Sequence, residues 1–216
     1  MRAGKYQEGF RLSVYGLALD GLTDEELKEL EPDFARIAAG LPENVDVAGE
    51  QITGDTATVF VRMPGQDKPQ GITLMRVDGR WIVGDKETHR LVTTQGRQFF
   101  FLARMQVSEQ EAVEWLEEIY GAQTIFFKAK NRFTALDELV RLGGVSPQLS
   151  AGMESGYRFE VLVTPDGQKF TVTAIPARYG RTGRRSFFVD QTGVIRVEDK
   201  QGQPATAASP KHMIRG

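Results

Sequence analysis

Few residue types in this chain could do chemistry. Its 216 residues include two histidines, His89 and His212, and no cysteine. A thiol nucleophile, a Cys-ligated metal and a disulfide framework are therefore excluded. A His-based zinc site or catalytic triad has almost nothing to draw on. The densest titratable group is Asp85, Glu87 and His89, at alternate positions on or just after a strand-like run, where they could share one face. A carboxylate positioned beside an imidazole can relay a proton near neutral pH. The plainer account, solvated residues at a strand end, weighs more, because one His with unpaired acids is a thin inventory. No catalytic residue is assigned, and no cofactor or metal.

Two further groups bear on binding. Tyr6, Phe10, Tyr15 and Trp81 could line a pocket with Asp85 and His89. Aromatics at helical and strand spacing are more often core, and Trp81 is expected there. Arg178, Arg181, Arg184 and Arg185 place four guanidiniums in eight residues, with Tyr179 among them and Gly180 and Gly183 lending flexibility. Forked donors on such a loop suit an acidic partner, a phosphate or an anionic lipid surface. The loop holds no carboxylate, so only acids such as Glu154, Glu160 or Asp166 on a neighbouring strand would reach it. Its plainer account is a solvated connection. Asp190, with Thr192 and Gly193, has too few oxygens nearby for calcium and reads as a turn.

The elements that must position these groups follow from periodicity. Tyr6, Phe10, Val14 and Leu17 make one helical stripe, so a helix is expected over Tyr6 to Leu19. Thr23 and Glu26 form a capping box for a second helix, which Pro32 is expected to divide and Gly40 and Pro42 to end. The period then becomes two: Val45 to Thr53, Thr56 to Met63, Gly71 to Val77 and Arg80 to Lys86, with turns at Gly54-Asp55 and Asp78-Gly79. Thr93 to Gly96 look like loop, and Phe99 to Met105 suit either a strand or a helix. Ser108 and Glu111 make another capping box, opening a helix to about Lys130. A short helix over Thr134 to Leu142 ends at Gly143-Gly144. Four antiparallel strands are expected between residues 157 and 198, and the polar tail beyond is expected to be loosely held.

Composition is ordinary for a globular protein, with 40% hydrophobic and 26% charged residues and a net charge of −2. Residues 1–100 carry 12 Lys/Arg against 16 Asp/Glu; residues 101–216 carry 15 against 13. Neither half is basic enough to suggest nucleic acid as a partner. The longest apolar run, Phe99 to Ala103, is far short of a membrane span. Residues 1–20 contain Glu8, Arg11 and Asp20 and are not a signal peptide.

The second half resembles the soluble part of a type IV pilin or a type II secretion pseudopilin, over roughly residues 104–210. The resemblance is carried by Glu111-Ala112-Val113 through Ala122-Gln123, by Phe133-Thr134-Ala135-Leu136, by Ser155-Gly156-Tyr157-Arg158-Phe159, and above all by Thr182-Gly183-Arg184-Arg185-Ser186-Phe187-Phe188-Val189-Asp190-Gln191-Thr192-Gly193-Val194-Ile195-Arg196. The leader, cleavage site and long apolar assembly helix of a pilin are not in this sequence, and residues 1–100 stand in their place. The first half resembles a reduced nuclear transport factor two-like domain over Val45 to Lys86, especially at Asp78-Gly79-Arg80-Trp81-Ile82. That resemblance implies helices on a curved sheet, with the tryptophan packed beneath the helices. In enzymes of this family an Asp–His pair inside the cone does acid–base work.

The expectation is thus an α+β chain in which each of two domains packs helices on an antiparallel meander. The first spans 1–95. Residues 96–107 are a linker or the start of the long helix, residues 108–198 are the pilin-like domain, and 199–216 are the tail. The function implied is a non-enzymatic module of the bacterial cell envelope that binds another protein or assists assembly. Its place is then outside the cytoplasm, reached through a removed leader; a cytoplasmic chain sharing these folds is the other possibility. The alternative function is a small-molecule binder or enzyme using the N-terminal cone.

Overall fold

A computed structural model describes residues 6–38 and 45–213. The chain is mixed helix and antiparallel sheet, and it divides into two compact units, Met1–Phe100 and Phe101–Gly216.

In the first unit, helices α1 (Tyr6–Arg11), α2 (Gly16–Leu19) and α3 (Asp24–Ala38) precede a meander of β1 (Asp46–Thr53), β2 (Thr56–Arg62), β3 (Gln70–Val77) and β4 (Arg80–Val83), followed by helix α4 (Lys86–Gln95). The single helix expected over Tyr6 to Leu19 is two. Between them the backbone turns to the sheet: Val83 N–H donates to the Leu12 carbonyl at 3.0 Å and Val14 N–H to the Val83 carbonyl at 2.9 Å. Those groups cannot also serve a helix ladder. Gly84 permits the approach, because a Cβ at that residue would lie 2.5 Å from Val14.

The capping box is present. Glu26 N–H donates to Thr23 Oγ1 at 3.3 Å, and Thr23 N–H to Glu26 Oε2 at 3.2 Å. Pro32 does not divide α3, which runs through it. The expected stops at Gly40 and Pro42 lie outside the described residues. Thr93 and Thr94 are helical, each hydroxyl bonding back to the carbonyl four residues earlier. The following 3₁₀ turn, Gly96–Gln98, is tied to α3 by Arg97 and Glu26 at 2.8 Å.

The meander pairs as its turns require. Thr53 faces Thr56, and Val77 faces Arg80 across Asp78-Gly79, both at positive φ as a two-residue hairpin of this kind demands. Val14, Ala18, Leu30, Phe34, Val92 and Phe100 are buried. Phe10, Phe34 and Phe100 meet with ring centroids 4.9–5.7 Å apart.

In the second unit, helix α5 (Phe99–Lys130) settles the choice left open at Phe99 to Met105. Phe101, Met105, Ser108, Ala112, Leu116, Ile119, Gln123 and Phe126 are all buried, spaced by three or four residues in one stripe. Ser108 is therefore interior to the helix and caps nothing. Helix α6 (Leu136–Arg141) ends at Gly143, which has a φ of 71°.

Five strands follow in sequential antiparallel order: β5 (Met153–Glu154), β6 (Tyr157–Val163), β7 (Phe170–Pro176), β8 (Ser186–Asp190) and β9 (Arg196–Glu198). The two-residue β5 was not anticipated. Register puts Tyr157, Phe159, Val172, Ala174, Phe187 and Val189 on one face, and these join Ala112, Leu116, Ile119, Ala122 and Phe126 of α5 in one core. Truncating one of its phenylalanines to Ala typically costs about 3–5 kcal/mol.

The tail is not loosely held. Val197 N–H donates to the Pro210 carbonyl and His212 N–H to the Ile195 carbonyl, so the tail lies antiparallel to β9. Ala205 and Ser209 are buried.

Candidate functional site

The residues singled out from sequence fall in three places. Asp85, Glu87 and His89 do not share a strand face. Asp85 is the N-cap of α4, accepting from Thr88 N–H and from Thr88 Oγ1, each at 2.9 Å. Those bonds, the backbone one first, hold its carboxyl below the usual range. Glu87 and His89 lie in the helix behind it. An Asp committed to a cap is no partner for a relay, so the acid–base reading loses its carboxylate.

The pocket group also separates. The side chain of Tyr6 lies outside the described residues. Phe10 is part of the aromatic core, with Tyr15 edge-on to it at 6.0 Å. Trp81 is 39% exposed and is not core. Strand period explains this: Arg80 and Ile82 turn toward α2, so Trp81 between them must face the other way.

A cleft of about 610 Å³ does exist in this unit, beside His89 and away from Trp81 and Asp85. Arg11 and Asp20 line it as an exposed ion pair at 3.4 Å. Asp78 from the β3–β4 turn and Arg80 and Ile82 from β4 line it as well. Sequence reasoning passed over these four charges because they are 69 residues apart in the chain at the widest. The α1–β4 backbone pairing brings them together.

The arginine turn of the second unit is neither flexible nor solvated throughout. Glu109 of α5, a buried carboxylate, accepts from the backbone N–H of Arg184 at 2.9 Å and of Arg185 at 3.1 Å, and from Arg185 Nε at 2.6 Å. The acid that meets the turn thus comes from the helix and not from Glu154, Glu160 or Asp166. Arg181 lies over the Phe101 ring at 4.1 Å, a cation–π contact. Tyr157, fully buried, donates its hydroxyl to the Arg185 carbonyl at 2.8 Å, and burial pushes its pKa up.

Gly183 is indispensable here, since a Cβ would overlap the Tyr157 hydroxyl. Gly180 N–H donates to the Gly183 carbonyl at 2.8 Å, closing the turn. Arg178, Tyr179 and Arg184 are exposed on its outside. The Tyr179 hydroxyl bonds Asp199 at 3.1 Å, and that bond raises its pKa. A sequence signal for Glu109 existed: a carboxylate on the apolar stripe of a helix needs a partner.

At the third place, Asp190 Oδ1 accepts from Thr192 N–H and hydroxyl, as a plain turn does. No group of three or more metal-ligating side chains occurs among the described residues.

Comparison with protein-family models, with curated proteins and with solved structures returns no match for this chain.

Proposed function

We propose that this chain is a module of the bacterial cell envelope that docks another protein through the arginine turn of its second, pilin-like unit. The observation that carries the reading is the seating of that turn on Glu109. A loop already held in one conformation loses little entropy on binding. This one displays Arg178, Tyr179 and Arg184 outward from a fixed base. Tyr and Arg are the side chains that most often anchor protein interfaces. The packing of α5 on an antiparallel sheet that ends in the β8–β9 hairpin supports the pilin-like reading.

The test is photo-crosslinking in cells of the source bacterium. Tyr179→p-benzoylphenylalanine should give a discrete adduct in the envelope fraction, weakened by Arg178→Ala with Arg184→Ala and by added salt. A control crosslinker at Glu117 should give none. Equal labelling at both positions removes the docking role, and a chain found only in the cytosol removes the envelope.

A second reading, small-molecule binding by the first unit, is favoured by the cleft beside His89.

A further inference from the structure

The cleft of the first unit has a charge pattern that narrows what could fill it. Two guanidiniums, Arg11 and Arg80, face two carboxylates, Asp20 and Asp78, and His89 adds a titratable nitrogen. Arg11 and Asp20 are paired with each other. Arg80, Asp78 and the His89 ring have no hydrogen-bond or ion-pair partner among the described residues. Val77, Ile82 and Leu17 add apolar lining to the same cleft.

Backbone hydrogen bonds join the segments that line the cleft. The Leu12–Val83 and Val14–Val83 backbone bonds fasten the α1–α2 connection to β4, with Val14 against Gly84 leaving no slack. The tight hairpin fixes Asp78 two residues from Arg80. His89 is carried on α4, whose first turn is capped by Asp85. The charges therefore do not need to be gathered when a ligand arrives.

We infer that this cleft binds a small zwitterion of the free amino acid class with an apolar side chain. Its carboxylate is taken by Arg80 and His89, its ammonium by Asp78, and its side chain by the apolar lining at Ile82. Charge balance carries the choice of class. An anion alone would leave Asp78 facing it, and a cation alone would leave Arg80 facing it. Like charges brought together cost affinity, whereas a zwitterion answers both Arg80 and Asp78. The cleft is open and about 610 Å³, larger than one such molecule, so affinity is modest and water shares the site. The inference rests on the small-molecule reading above and is independent of the docking one.

The experiment is a titration of the ¹⁵N-labelled full chain with L-leucine, followed by amide shifts, beside two single-charge probes of similar size, hexanoate and pentylamine. L-leucine should give saturable shifts confined to residues 11–20, 77–82 and 89. Both comparators should bind about tenfold more weakly or worse, a difference of about 1.4 kcal/mol. Arg80→Gln and Asp78→Asn, both exposed and outside the core, should each weaken L-leucine about tenfold with the melting temperature unchanged. Binding of hexanoate as tight as that of L-leucine overturns the zwitterion class and leaves the small-molecule reading standing. Absence of saturable shifts with all three probes overturns both, whereas L-leucine binding indifferent to both substitutions overturns the charge assignment and leaves the small-molecule reading standing.

Discussion

Glu109 shows how one side chain decides what a run of like charges is for. Four arginines in eight residues look mutually repulsive, yet the carboxylate beneath two of them accepts three hydrogen bonds and organises the turn. Glu109→Ala removes the acceptor of two backbone N–H groups and one guanidinium. It should cost about 2 kcal/mol of stability, less than a fully buried pair because Arg185 is 47% exposed. Glu109→Gln, which keeps one acceptor oxygen, should fall between the two. Urea unfolding checks this, and an unchanged midpoint in the Ala variant would mean that the clamp holds nothing. His212 gives a pH signature of its own. Burial first, and the Arg185 charge second, depress its pKa below the ordinary value. The unfolded chain therefore takes up this proton at a higher pH than the folded one. Its contribution to stability is complete above about pH 6.5 and is lost as pH falls through the folded value. Stability measured from pH 7.5 down should decline in that window, and His212→Ala should flatten the slope. A ring titration midpoint at or above the ordinary value would contradict this.

Among the elements, α3 and the break before α2 run opposite to their local signals. Pro32 stands inside a continuous helix, so the Lys28 carbonyl lacks the helical N–H it would otherwise receive. Leu30 and Phe34, both buried on either side of it, hold the helix together through tertiary packing. Pro32 itself is exposed, and Pro32→Ala should restore the bond and raise stability by about 1–3 kcal/mol, read as a higher melting temperature. A lower melting temperature would show that Pro32 stiffens the unfolded chain more than it strains the helix. The reverse case is Ser13, at a position whose apolar neighbours read as helix. There a backbone pairing with β4 outweighs a helix too short to be stable alone.

For the whole molecule, the buried residues of the core of α5 with β6, β7 and β8 run from Ala112 to Val189, and Ile195 and Val197 pack against them. The tail adds backbone bonds to β9 in the same unit. A chain of residues 101–216 should therefore fold by itself, with a cooperative melt and dispersed amide resonances. Non-cooperative melting would mean that this core depends on residues 1–100. No helix among the described residues is long and apolar enough to cross a membrane, in keeping with the short apolar run at Phe99 to Ala103.

What the sequence determined by itself is what depends on neighbours in the chain. The Thr23–Glu26 box, the Asp78-Gly79 hairpin, the antiparallel strands between residues 157 and 198, and the helix reaching Lys130 were all legible. A capping hydroxyl, a positive φ and a period of two or 3.6 act over a few residues. Ser108 marks the limit of such signals, because a capping pattern inside a helix does not end the helix when its flanking residues are buried. Tertiary structure decided the rest. Trp81 faces outward because Ile82 takes the side toward α2. Asp85 caps a helix, Lys86–Gln95, where the end of a strand and, at Thr93 to Gly96, a loop are expected from sequence. Arg11 and Arg80 share a cleft because Leu12 and Val14 pair with Val83. Glu109 lies under Arg184 and Arg185, 75 and 76 residues away. The cleft and the Glu109 seat are contacts between residues distant in the chain, where burial and a satisfied buried polar group outweigh local preference. The tail followed the same rule: its composition has no period, and the open edge of β9 gave its backbone a partner.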